Sequence, residues 1–372
     1  MEKFSLPTTI LQCDTCRELC EYFKIAEGDL LFFSEKSHEE FFREYATGAN
    51  FLFRSDYGVG EPADIMVEQI LDDINMEDIQ RVFAIGGGTV IDVAKLFSLK
   101  QVTPIVDLFF KKNIEPQKAR ELIVVPTTCG TGSEVTNVSI LELKKMETKL
   151  GLADDTLYPD YAALVPELID GLPYTVFATS SIDALIHATE SYLSPKATNF
   201  SKSFSVEAIR MILSGYKEVE EKGKEYWKEQ KKEFLLASNY GGIAFGNAGT
   251  GAVHAMSYPL GAKYHIPHGE SNYVIFVEVL KVYLEKKPKG GIQKLNALFA
   301  ELLDCPVEYV YENLEKRLEK ILPKKTIREY GVKEEELIAF TDNVMTKQGR
   351  LMANNYTTLE AEDILKIYQR IY

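Results

Sequence analysis

Asp183 and His187 stand four residues apart in SSIDALIHATESY, a segment whose apolar residues recur at helical spacing, so both side chains project from one face of a helix. A carboxylate and an imidazole then converge. His254, in GAVHAMSYPLG, and His268, in IPHGESN, add two more imidazoles. One carboxylate with three imidazoles suits a borderline divalent ion such as Fe2+ or Zn2+, whose chemistry is to polarise a bound oxygen. The chain has 5 histidines in 372 residues, and His187, His254, His265 and His268 all fall between positions 187 and 268, a clustering that packing alone does not account for. Taken singly, His265 and His38, the latter after Ser37 in a polar loop, read as satisfied core or surface imidazoles. Glu190 continues the face of Asp183 and His187 and reads as a partner to a ligand rather than as a ligand.

A second chemistry is written in two glycine- and hydroxyl-rich turns. The apolar run RVFAI leads into Gly86, Gly87 and Gly88, then Thr89 and an amphipathic segment containing Asp92 and Lys95. Glycines permit positive φ and close backbone approach, and a helix N-terminus offers unpaired N–H groups to a pyrophosphate. The turn is not a G-x-G-x-x-G fingerprint, because Ile91 stands where the last glycine would be. The run ELIVVP leads into Thr127, Thr128, Cys129, Gly130, Thr131, Gly132, Ser133 and Glu134, whose hydroxyls and bare N–H groups suit ribose and phosphate oxygens. Either loop alone fits an ordinary capped turn; two on neighbouring strand ends point to a nucleotide. Cys129 within the second reads as a small apolar filler.

Between positions 28 and 166 short apolar runs (DLLFF, NFLFRS, RVFAIGG, ELIVVPTT, YAALVP) alternate with amphipathic stretches such as MVEQILDDINMEDIQ and VIDVAKLFSL, the rhythm of a doubly wound parallel α/β sheet. After Pro166 the segments read as helix with little strand character. The expectation is therefore an α/β dinucleotide-binding domain over 1–166 and an all-α metal- and substrate-binding domain over 167–372, since a chain of this length exceeds one ordinary core. Residues 217–233, rich in Lys and Glu around Trp227, read as a solvated helical surface. Cys13, Cys16 and Cys20 are spaced to share one helix face and lack the second pair that a tetrahedral zinc site needs.

Hydrophobic residues make up 45% of the chain, which excludes disorder, and 42 Lys plus Arg against 56 Asp plus Glu leave a net charge of −14 that repels nucleic acid and anionic membranes. The N-terminal sequence has no secretory apolar core, and no run is apolar and long enough to span a bilayer, so the expected address is the cytoplasm.

Together these residues resemble the iron-containing (group III) alcohol dehydrogenase family. Its motifs GGGSxxDxAK, PTTxGTGSE, D-x-x-x-H and a later H…PHG pair match Gly86 to Lys95, Pro126 to Glu134, Asp183 to His187, and His254 through Gly269. The stretches CGTGSEVTNVS, SIDALIHATE, GIAFGNAG and SYPLGAKYHIPHGESN are most similar to family members that oxidise 4-hydroxybutyrate reversibly to succinate semialdehyde with NAD, typically in anaerobic fermentation. The resemblance implies a Rossmann-like sheet followed by a helical domain, an architecture shared with dehydroquinate synthase, and a homo-oligomer, dimer or larger.

Under this resemblance Asp183, His187, His254 and His268 bind the metal, Fe2+ first and Zn2+ second. Gly86, Gly87, Gly88, Thr89, Thr127, Thr128, Thr131 and Ser133 set the cofactor, Lys149 reaches its ribose, and Asp92 orders the glycine turn. Glu35, in LLFFSEK, stands where the family often has an aspartate that excludes the NADP phosphate, so NAD is favoured over NADP. Thr89 replaces the usual serine and keeps its hydroxyl. Tyr258 replaces an active-site histidine of many members, and its hydroxyl can hydrogen-bond the substrate. Tyr258 and His265, with Lys263, Asn272 and Arg350, are candidates to meet a substrate carboxylate. Three other readings compete: another primary alcohol or diol as substrate, and, further off, a dehydroquinate synthase-like lyase or a non-catalytic nucleotide- and metal-binding protein.

Overall fold

The computed structural model describes residues 2–58, 60, 62–146 and 148–372. They form two compact units, one spanning Leu6–Leu172 and the other Pro173–Tyr372 with the N-terminal segment up to Ser5.

The first unit runs β1 (Thr9–Gln12), α1 (Cys16–Phe23), β2 (Asp29–Phe33), β3 (Asn50–Phe53), α2 (Asp64–Asp73), β4 (Arg81–Gly86), α3 (Gly88–Phe97), β5 (Glu121–Pro126), β6 (Val138–Leu143), β7 (Thr148–Ala153) and β8 (Tyr161–Leu164). Six strands make one parallel sheet in the order β1-β8-β5-β4-β2-β3. The continuous apolar runs follow from burial on both faces. Leu30 and Phe32 of β2, Val82 and Ala84 of β4 and Leu122 and Val124 of β5 pack under α2 and α3. Their alternates Leu31, Phe33, Phe83, Ile85, Ile123 and Val125 pack against Cys16, Leu19 and Cys20 of α1. The chain leaves β2 for β3 at one edge and then returns to place β4 on the other side of β2, so the winding reverses there. Ligands of open α/β sheets bind at such a reversal, beyond the strand C-termini.

Two elements differ from the expectation. β6 and β7 form an antiparallel hairpin, built on the alternation VSILEL, which buries Ser139, Leu141 and Leu143 and turns the rest outward. Cys13 precedes the N-cap Thr15, so only Cys16 and Cys20 share the face of α1, both buried in the core. Burial raises all three thiols, Cys20 to about 12, which disfavours their thiolate forms.

The second unit is helical: α4 (Tyr174–Leu193), α5 (Asn199–Lys222), α6 (Lys231–Ala248), α7 (Ala252–Tyr264), α8 (His268–Lys286), α9 (Gly291–Leu303), α10 (Val310–Ile321), α11 (Leu337–Lys347), α12 (Gly349–Met352) and α13 (Ala361–Arg370). α5 begins with a capping box in which Thr198 and Ser201 satisfy each other's backbone N–H, and stops at Gly223 with φ 100. The surface expected over 217–233 is therefore interrupted, and a 3-10 turn over Lys224–Gln230 folds Trp227 inward. Trp227 is fully buried and stacks on Phe177 of α4 at 4.4 Å. Among the described residues no helix is long and apolar enough to cross a membrane.

Candidate functional site

Three helices of the second unit bring four donors together. Asp183 and His187 lie one turn apart on α4, His254 is in the first turn of α7, and His268 opens α8. One ligand atom from each lies within 4.8 Å of the others. His254 Nε2 is 2.9 Å from His187 Nε2, and Asp183 carboxylate oxygens lie 3.9 Å from both His254 Nε2 and His268 Nε2. Two ring nitrogens come this close only when they share a proton or a cation. Asp183, His187 and His254 are buried, and His268 keeps 43% of its side chain exposed.

Tight packing sets these positions. Gly269 allows α8 to start against α4: a Cβ there would stand 2.5 Å from the carbonyl oxygen of Thr179. Gly241 does the same for α6, where a Cβ would lie 3.3 Å from the Ala184 carbonyl. Phe245 of α6 then stacks on the His187 ring at 4.4 Å.

Glu190, two turns along α4 from Asp183, is also buried and fixes His254. Its Oε2 lies 2.6 Å from His254 Nδ1, and its Oε1 accepts a 2.7 Å hydrogen bond from the Val253 N–H. With Nδ1–H committed to the carboxylate, His254 presents the Nε2 lone pair to the centre. Burial pushes the Asp183 carboxyl up, but His187, His268 and His254, with the Asn272 amide, outweigh it and hold it below the usual range. For His254 burial favours the neutral ring, yet Glu190 and then Asp183 prevail and raise it. Among the described residues neither buried carboxylate has a Lys or Arg partner; Asp183 faces imidazoles and the Asn272 amide, and Glu190 faces the His254 ring and the Val253 N–H. This charge deficit, with one oxygen and three nitrogens facing inward, fits a divalent cation.

In the first unit, the two loops lie side by side. Gly86 pairs with Pro126 across β4 and β5, and the Thr127 N–H donates to the Gly86 carbonyl at 3.2 Å. None of Gly86, Gly87 and Gly88 has positive φ, and what Gly86 and Gly88 require is space. A Cβ on Gly86 would sit 2.7 Å from Val90 Cβ, and one on Gly88 would sit 3.2 Å from Thr131 Cγ2. Gly87 is the N-cap of α3 and offers no side chain to its N–H groups, so the first turn, with Thr89, faces outward unpaired by a cap. Thr127 is buried, Thr128 lies against Gly87, and Thr131 Oγ1 is 3.4 Å from the Ser133 N–H.

Asp92 does not make the contact expected of it. Its Oδ2 accepts from the Ile140 N–H at 3.0 Å and its Oδ1 lies 3.9 Å from Lys95 Nζ, so it braces α3 against β6 and makes no hydrogen bond to the glycine turn. Glu35 follows β2 as the exposed N-cap of a 3-10 turn, one residue after Ser34, which touches the Gly86 position. Lys149 lies on β7, opposite Glu142. Tyr258 lies one turn beyond His254, its ring 6.3 Å from that of His268. His265 is exposed and ends α7 in the left-handed conformation, φ 53, outside the four-donor group. Lys263 and Tyr264 both donate to Glu336, and Asn272 donates to Asp183. Arg350 is exposed on α12 with no ion pair among the described residues. Sequence reasoning passed over the bracing Lys95 and gave Asn272 only a substrate role, although its four-residue spacing from His268 places both on one face.

Comparison with known proteins places these features. Residues 7–166 match the family model described as iron-containing alcohol dehydrogenase, and 177–372 match the C-terminal model of the Fe-containing alcohol dehydrogenase family. The chain is 49% identical over 372 residues to 4-hydroxybutyrate dehydrogenase of Clostridium kluyveri, covering 100% of both. It is 34% identical over 300 residues to long-chain-alcohol dehydrogenase 1 of Geobacillus thermodenitrificans, covering 78% of this chain and 74% of the relative. Sulfoacetaldehyde reductase from Bifidobacterium kashiwanohense, solved in complex with NAD+, shares the fold at a TM-score of 0.87 and 22% identity, covering 100% of this chain and 98% of that one.

Proposed function

The chain belongs to the iron-containing alcohol dehydrogenase family, and on that premise we propose that it interconverts 4-hydroxybutyrate and succinate semialdehyde. NAD is the hydride carrier, and Asp183, His187, His254 and His268 hold a divalent ion, Fe2+ ahead of Zn2+. The observation that carries the reading is the convergence of those four donors, with the buried Glu190 behind His254 and, among the described residues, no Lys or Arg paired with either Asp183 or Glu190. The full-length likeness to the Clostridium kluyveri enzyme supports the substrate, and the fold shared with the NAD+-bound reductase supports the cofactor. Another primary alcohol or diol is the alternative substrate.

When bound, the ion supplies Lewis acidity toward the substrate oxygen, and the dinucleotide takes up or returns a hydride. The chain's own groups prepare both. Asp183 stays ionised, and Glu190 keeps the His254 Nε2 lone pair turned inward. The Gly86–Gly87–Gly88–Thr89 turn, with Thr127, Thr128, Thr131 and Ser133, receives the pyrophosphate and ribose, and Lys149 reaches a ribose hydroxyl. Glu35, exposed beyond β2, accepts from the adenosine ribose and repels a 2′-phosphate, which favours NAD over NADP. Tyr258, beside His268, offers its hydroxyl to the substrate oxygen. For the distal carboxylate, Lys263 is committed to Glu336, which leaves His265 and Arg350 as the groups to meet it. We read residues 1–166 as the dinucleotide-binding part and 167–372 as the metal- and substrate-binding part, of a cytoplasmic homo-oligomer.

The test is anaerobic NADH oxidation by Fe2+-reconstituted protein with succinate semialdehyde beside simple aldehydes and a chelator control. Rapid, chelator-sensitive turnover preferring succinate semialdehyde is expected; turnover restricted to simple aldehydes removes the substrate assignment while leaving the class.

A further inference from the structure

We propose that Asn272 is the positioning residue that holds the ion site in its binding arrangement before an ion enters, an inference that rests on the four-donor group being the metal site. Asn272 lies on α8 one turn after His268, with no exposed surface. Its Nδ2 donates to Asp183 Oδ1 at 2.7 Å and lies 3.3 Å from His254 Nε2 and 3.2 Å from His268 Nε2. One amide nitrogen thus touches three of the four donors.

The chemistry of an amide suits that place. Converging carboxylate and imidazole lone pairs repel one another, and an NH2 group has two N–H donors and no lone pair to add. One N–H is taken by Asp183. His254 Nε2 already faces His187 Nε2 at 2.9 Å, so the second N–H is left to His268 Nε2. Accepting it requires that Nε2 carry a lone pair, which sets His268 in the Nδ1–H tautomer, the same form that Glu190 imposes on His254. The reversed amide is excluded, because its Oδ1 would face an Asp183 oxygen at the same short distance. In the observed orientation Asn272 Oδ1 is buried with no partner. An apolar residue of equal volume would pack without that penalty, so packing does not account for asparagine here. What the amide achieves is to aim Asp183 and the His268 Nε2 lone pair at the point that His254, held by Glu190, also faces; an arriving cation replaces the N–H at His268 Nε2, while the bond to Asp183 can persist.

Co2+ is the probe, because its d–d absorption reports the geometry of its ligands. Full-length protein stripped of metal is titrated with Co2+, for wild type and for Asn272→Leu, which keeps the branched heavy-atom skeleton and removes both N–H groups. We expect Co2+ affinity to fall by roughly 10- to 100-fold, with altered d–d bands, unchanged NADH binding and an unchanged melting temperature of the metal-free protein. Histidine-selective 15N spectra of the metal-free protein should show the Nδ1–H form at His268 in wild type and its loss in the variant, a change that a packing role would not produce. Wild-type protein that binds no Co2+ overturns the metal reading itself. Wild-type binding with equal affinity and an unchanged His268 tautomer in Asn272→Leu overturns the role of Asn272 alone. Should the leucine variant not fold, Asn272→Ala is judged by the same two outcomes.

Discussion

The glycine-turn end of the sheet and the helical ion site both bury carboxylates, and they balance them in opposite ways. Behind the glycine turn, Asp92 is buried 3.9 Å from Lys95, whose fully buried ammonium donates to Thr136 Oγ1 and the Val138 carbonyl. The charge there is answered from within. Between α4, α7 and α8, Asp183 and Glu190 are also buried and, among the described residues, meet imidazoles, the Asn272 amide and the Val253 N–H but no Lys or Arg. A buried carboxylate with its own cation braces a structure, whereas a pair without one marks a place that something from outside completes.

The largest expected effect removes a donor. His268→Ala should lower turnover by about a thousandfold or more, since Lewis-acid stabilisation is worth several kcal/mol. Metal content by mass spectrometry should fall with it while the melting curve of the metal-free protein stays in place, because His268 is the half-exposed member. Full activity in a metal-depleted variant would sink the mechanism. Glu190→Gln comes next: an amide oxygen cannot hold both the His254 ring and the Val253 N–H as the carboxylate does, so metal affinity should drop roughly 10- to 100-fold.

On the other side of the comparison, Gly88→Ala places a Cβ 3.2 Å from Thr131 Cγ2 and should weaken NADH binding about fivefold, from a strain of about 1 kcal/mol, with metal affinity untouched. An equal loss of metal would show that the two sites are not independently built.

The smallest effect is read in stability against pH. Burial lowers Lys95 to about 8 from its ordinary 10.5, against the pull of Asp92 and Glu134, so the unfolded chain binds more protons between those values and stability should rise from pH 8 to 10.5. Burial raises Asp92 to about 6 from 3.8, against the pull of Lys95 and the Ile140 N–H, so stability should fall as pH rises from 3.8 to 6. Denaturant unfolding of Lys95→Met should lose the alkaline rise; its persistence would assign that rise to other groups.

Much of this was legible in the residues because local rules and the fold agree. The runs DLLFF, RVFAI and ELIVVP, alternating with amphipathic stretches, have the rhythm of doubly buried parallel strands, and a four-residue spacing on a helix fixes that Asp183 and His187 face the same way. What escaped depends on distant parts of the chain meeting. Nothing local says that Asp92 turns to Ile140 rather than to the glycine turn, or that Asn272 meets Asp183 from another helix. The three glycines were readable as glycines, but the reason for them was not. Positive φ is a local property, and the Gly86 and Gly88 requirement is contact with Val90, Ser34 and Thr131. Trp227 looked solvated because its neighbours are charged, and only Gly223 ending α5 lets the chain fold it inward.

That tryptophan has a practical side. It is the 1 Trp in the sequence, fully buried and stacked 4.4 Å from Phe177, on the same helix as Asp183 and His187. Intrinsic fluorescence excited at the red edge therefore reports from one helical neighbourhood alone, silent toward the 20 tyrosines of the chain. A red shift of that emission marks exposure of Trp227 as it leaves Phe177, so the melting of the helical unit can be timed separately from loss of the parallel sheet, a built-in clock for the order in which the two units unfold.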